Sequence, residues 1–237
     1  GYDALIVEDG QVFVQVQQLI AGDNAIETFA GSSSAYLYCE AQEVIGQQVN
    51  EGGDGTLLFA GNASVLAKFG RIISGNGARS IRQLNGDPNF LTIECPDIEG
   101  HIEASKLRLV GPSRIDSSDR NVPTLTLTGD DVVLEHCHLV MKSTEDFAIT
   151  AATSKTLTVI GSLTITDETG ADRSDAVHEN ITIVASAAAN SHRLAGVTPT
   201  AAGLALLDGV NAAAQRTTLG LGHIATAYSS GLSSQLT

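Results

Sequence analysis

A chain of 237 residues that is 43% hydrophobic and 17% charged holds enough apolar material for one or two packed domains, and too little charge for a disordered one. Its net charge of −14 is interrupted by no cluster of Lys or Arg, which argues against a nucleic-acid partner and against an anionic membrane surface. No apolar run approaches the ~20 residues of a membrane-spanning helix. With 4% aromatics and no Trp, the core must be assembled from Val, Ile, Leu and Ala, residues that suit thin, regularly layered interiors.

In chain order, the first region (1–50) opens with ALIVEDGQVFVQV. Asp9-Gly10 between apolar runs predicts a hairpin turn. Val12, Val14 and Val16 alternate with Phe13, Gln15 and Gln17, giving a strand with one aliphatic face. A second strand is predicted at AYLYCEA, residues 35–41.

The second region (51–186) is a succession of short β-branched runs separated by Gly, Asp, Asn and Ser: TLLFA, RIIS, FLTIE, LRLVG, TLTLTG, VVLEHCHLVM, FAIT, LTVIG, LTIT and ITIVA. No amphipathic helix lies between them, which argues against alternating βαβ units. A solenoid, a sandwich or an intertwined prism would accommodate them. The solenoid or prism is preferred because repeated short strands bury thin aliphatic layers by stacking, although no strict repeat period is visible.

The third region (187–237) begins with a small-residue linker, ASAAANSHRLAG. Thr198 as N-cap, Pro199 at the first position and Gly209 as stop predict a short helix, and Asn211 with Gly220 predicts another. Such helices are weak alone and more stable packed about a symmetry axis.

The stretch TPTAAGLALLDGVNAAAQRTTLGLG, Thr198 to Gly222, resembles a segment recurrent in bacteriophage tail fibre and tailspike proteins, where it joins or precedes fibre modules. The resemblance implies a mainly β, homotrimeric, non-enzymatic structural protein of the virion tail, assembled in the bacterial cytoplasm and serving host attachment. Its partners would be its own copies, other phage tail proteins and a bacterial surface polysaccharide or protein receptor. The apolar positions Leu204, Leu206, Leu207, Leu219 and Leu221 are the expected assembly interface. A polysaccharide-degrading tailspike and a capsid-decorating or neck protein are the alternatives.

Chemical signals are sparse. Cys39, Cys95 and Cys137 are an odd set without CxxC spacing and are expected to be ordinary buried thiols. His136 and His138 sit two apart on an expected strand, which would point both imidazoles the same way. Three copies about an axis could then hold a transition metal, as in some phage fibres and spikes; otherwise no cofactor is expected. With only one such pair and no carboxylate second shell identifiable, an ordinary strand is the preferred reading. Paired carboxylates for sugar cleavage could come from Asp116, Asp119, Asp130, Asp131, Glu145, Asp146, Asp167, Glu168, Asp172 and Asp175, but most stand beside turn residues. The run Asp167–Asp175 lacks the spacing of an EF-hand loop and is expected to be a solvated turn.

Overall fold

The structure, a computed structural model, describes residues 3–28, 35–46, 55–60, 63–74, 79–84 and 91–186. Its strands pair in parallel and coil into a three-sided β-solenoid, with no helix among the described residues. The first side carries β1 (Leu5–Val7), β3 (Ile26–Thr28), β5 (Leu57–Phe59), β7 (Arg79–Gln83), the starts of β10 (His101–Val110) and β12 (Leu125–Met141), and β13 (Ile149–Thr150). The second side is formed by the first parts of β2 (Gly10–Ala21), β4 (Ala35–Gly46) and β6 (Ala63–Ser74), then β8 (Leu91–Glu94), the later part of β10, the middle of β12, β14 (Lys155–Asp167) and β15 (Ile181–Ser186). The third side holds the later parts of β2, β4 and β6, then β9 (Asp97–Glu99), β11 (Ser113–Asp116) and the ends of β12 and β14.

Side chains alternate in and out along each strand, so the parallel register stacks like on like. Three aliphatic ladders fill the interior. One runs Leu5, Ile26, Leu57, Ile81, Ile102, Leu125, Ile149. The second runs Val12, Leu37, Val65, Leu91, Leu107, Val132, Leu157. The third runs Leu19, Val44, Ile72, Ile98, Ile115, Leu139, Ile165. Away from the first turn nearly all of these are fully buried. Six circuits separate Leu19 from Ile165. At the ~4.8 Å strand spacing that is about 29 Å, so one chain contributes a block rather than a long shaft.

The missing repeat period has a simple cause. Between the second and third ladders the spacing is nearly fixed: Val12 to Leu19, Leu37 to Val44, Val65 to Ile72, Leu91 to Ile98 and Val132 to Leu139 are each seven residues apart. The return from the third ladder to the first varies from four residues (Ile98 to Ile102) to thirteen (Val44 to Leu57). The constant step is hidden between variable ones.

One expectation is corrected. Asp9-Gly10 makes no hairpin: β1 pairs in parallel with β3, and β2 in parallel with β4. The pair is a solenoid corner in which the Asp9 carboxylate accepts the Gly10 N–H (2.7 Å) and Gly10 takes φ 79°. Of the two preferred architectures, solenoid and prism, the described residues form the solenoid, and they form no sandwich. Strands β1 to β4 form first turns of the same solenoid, with β4 paired to β6.

One buried amide stitches two turns together. Gln83 Oε1 accepts the N–H groups of Ser105 (2.8 Å) and Lys106 (2.9 Å), and its Nε2 donates to the Lys106 carbonyl (3.0 Å). Cys39, Cys95 and Cys137 are buried free thiols, as the sequence predicts, with burial pushing them up to about 11, about 12 and about 12. Native chains hold them as unreactive thiols.

His101 gives the fold an acid sensitivity. Its Nδ1–H donates to the Pro123 carbonyl (2.5 Å). Burial lowers its pKa, with Arg79 and Arg120 acting in the same direction against that hydrogen bond and Glu103. The unfolded histidine, near its usual value of about 6.5, therefore takes up a proton before the folded one. Stability should decline as pH falls below about 6.5 and level off once the folded imidazole is protonated. Urea melts at about pH 7.5 and about pH 5 should show this drop, and His101→Gln should reduce it.

Candidate functional site

With its interior packed by aliphatic ladders, the described solenoid offers its outward rows to other molecules. On the third side one such row runs Glu43, Arg71, Asp97, Arg114, His138. Strands about 4.8 Å apart thus place opposite charges over one another. Arg71 bonds both Asp97 (3.0 Å) and Glu99, and Arg114 bonds Asp116 (2.5 Å).

Beside this row lies a cleft of ≈ 230 Å³ lined by Ser74, Glu99, Asp116, Ser118, Asp119 and Arg120. Arg120 Nη2 donates to the Ser74 carbonyl (3.0 Å) and its Nε to Asp119 (3.2 Å); Ser74 Oγ donates to the Glu99 carbonyl (2.8 Å). Partial burial pushes the Asp116 carboxyl up, but hydrogen bonds from Ser118 and Arg114 outweigh it and hold the group below the usual carboxylate range. A glycosidase general acid needs the opposite shift, because it must keep a proton to give. Asp116 is ionised and tethered.

The second side carries a different surface over the first turns. Phe13, 68% exposed, packs against Tyr36 and Tyr38 at ring-centroid distances of 6.1 and 6.4 Å, and Leu66, 42% exposed, extends the patch one turn further. The next outward row is polar: Gln15 donates to Glu40 (3.3 Å) and Lys68 pairs with Glu94 (3.3 Å). Gln15, Val16, Gln17, Glu40, Ala41 and Gln42 line a ≈ 290 Å³ groove at the adjoining corner. Rings beside amides and a carboxylate can stack on an apolar ligand face while bonding its hydroxyl or amide groups. Sequence reasoning missed this platform, since Phe13 and Tyr38 are joined only by the register of β2 on β4.

The histidine pair is not carried on one flat strand. His136 stands at the corner between the second and third sides with φ 49°, where the pairing of β12 with β14 slips by one residue between Glu135 and Cys137. Its ring fills the space that a Cβ on Gly161 would enter, with Nδ1 3.5 Å from Ser162 Oγ. His138 lies past the corner, its Nε2 2.8 Å from Thr166 Oγ1. The shared-face premise fails because a corner intervenes. Among the described residues no group of three or more His, Cys, Asp or Glu is placed to hold a metal.

The Asp167 run forms a turn closed on itself: Asp167 Oδ1 accepts from Thr169 N (2.9 Å), Thr169 Oγ1 (2.5 Å) and Ala171 N (3.1 Å). The hydrogen bond from the Thr169 side chain leads in holding Asp167 below the usual carboxylate range. Leu204, Leu206, Leu207, Leu219 and Leu221 lie outside the described residues, as do the two predicted helices. Comparison with known proteins finds no matching family model, no matching curated protein and no matching solved structure.

Proposed function

We propose that the chain is a structural segment of a phage tail fibre or tailspike, a homotrimer that contributes a β-solenoid block to a host-attachment appendage. The observation that carries this reading is a parallel β-solenoid followed in the same chain by the fibre-like segment Thr198–Gly222. The solenoid supplies stiffness, since every turn is bonded to its neighbours along all three sides. The segment after it supplies registration of three chains, through Leu204, Leu206, Leu207, Leu219 and Leu221. The ring and amide surface around Phe13, Tyr36, Tyr38 and Gln15 supplies contact with a bacterial surface polysaccharide or protein receptor.

Attachment without cleavage is the favoured mode. Incubation with host capsule or lipopolysaccharide should release neither reducing ends nor unsaturated sugars; release of either would move the chain to the depolymerase alternative. The trimer has its own test. Leu206→Asp combined with Leu207→Asp should shift the light-scattering mass towards one chain at concentrations where the parent is trimeric. A variant that stays fully trimeric refutes the assigned interface.

A further inference from the structure

The outward face of the second side changes character along the stack. Its middle row runs Phe13, Tyr38, Leu66, Thr92, Arg108, Val133. Rings and a leucine fill the first three places; a threonine follows, then Arg108, which bonds Glu135 (3.2 Å). The neighbouring row towards the corner begins Gln15, Glu40, Lys68. Ring faces and polar groups thus lie side by side on the turns of β2, β4 and β6. The rings project outwards from the side of the solenoid, at right angles to the direction in which turns stack.

The size of this patch selects its occupant. Three turns at the ~4.8 Å spacing measure about 10 Å, and Tyr36 to Gln42 measures about 20 Å along the strand, which gives roughly 200 Å². A stable protein partner needs about 800 Å² from each side, so it would rest mostly on surface without rings. A short run of sugar units fits. A hexopyranose has a face of C–H groups to lie on a ring, and a rim of hydroxyls for the amides of Gln15, Gln17 and Gln42 and the carboxylate of Glu40, which line the adjoining groove. Charge narrows the class. Among the described residues, the charged groups on this side of the three turns are Glu40 and Lys68. Lys68 is paired with Glu94 (3.3 Å), whereas Glu40 receives a neutral amide from Gln15 (3.3 Å). An acidic glycan would set its own charge against Glu40, with Lys68 already committed and the whole chain at −14.

We propose that the Phe13–Tyr38 platform binds neutral polysaccharide, built of hexose or N-acetylhexosamine units, and discriminates against chains that carry carboxylates or phosphates. This deepens the appendage reading and rests on it for the source of the glycan, the bacterial surface. Stacking and neutral hydrogen bonds carry the contact, so it is insensitive to salt.

The full chain, passed over immobilised dextran, mannan, galactan and chitin and over polygalacturonate and polysialic acid, should bind at least one of the first four and neither of the last two. Binding should persist at about 0.5 M salt, where surface charges are screened. Phe13→Ala and Tyr38→Ala should each weaken it about tenfold. Val184→Ala, on the same outward row at the opposite end, should leave it unchanged. Far-UV circular dichroism checks that each variant keeps the solenoid; should the ring variants fail to fold, the panel on the parent protein decides. Binding to none of the neutral polymers, preference for an acidic one, or full binding by folded Phe13→Ala and Tyr38→Ala would overturn the assignment. A trimer that fails the panel sinks the glycan site and leaves the appendage; a single chain that passes does the reverse.

Discussion

Gly111→Ala is expected to destabilise the solenoid by roughly 3 kcal/mol or more, at the upper end of overpacking costs. A Cβ on Gly111 would fall far inside van der Waals contact with the Glu135 carbonyl oxygen of the next turn, and that oxygen belongs to backbone held in a ladder. A flexible side chain could swing away; a paired main chain cannot. Gly70 faces a milder version, its Cβ position lying 2.5 Å from the Gln42 carbonyl. Gly10 has nothing within 4 Å, so alanine there meets only the strain of φ 79°, about 1 kcal/mol. Urea unfolding at constant m-value should rank the three variants in that order.

The second large effect is Leu107→Ala, with an expected loss of about 2–5 kcal/mol. Leu107 is 0% exposed and is clasped in its ladder by Leu91 below and Val132 above. Turns of a solenoid are stabilised by their immediate neighbours, so a cavity in the middle weakens two interfaces at once. Leu19→Ala, in the half-covered first turn, should lose clearly less. Equal losses at the two sites would mean that the first turn is as well buried as the middle.

Much of this fold could be read from the residues. Every β-branched run from TLLFA to ITIVA contributes at least two residues to a strand, because alternation of aliphatic and polar side chains is a local property. The hairpin at Asp9-Gly10 failed for the opposite reason. A glycine with positive φ suits a solenoid corner as well as a hairpin, and only the long-range pairing of β1 with β3 decides between them.

The constraint on Gly111 was invisible, since it comes from the Glu135 carbonyl in another turn. The reading of His136 and His138 as sharing a face assumed a flat strand, and nothing in HCH announces a left-handed corner residue. The platform of Phe13 and Tyr38 needed the 25-residue register of β2 on β4, which unequal returns between turns conceal. Aromatics make up only 4% of the chain. Register gathers half of the four tyrosines beside Phe13 all the same.

The trimeric appendage is tested most directly by the native mass of the assembled protein. The account predicts about 74 kDa, three times the 24.5 kDa of one chain. A particle of one chain, or of two, would contradict it.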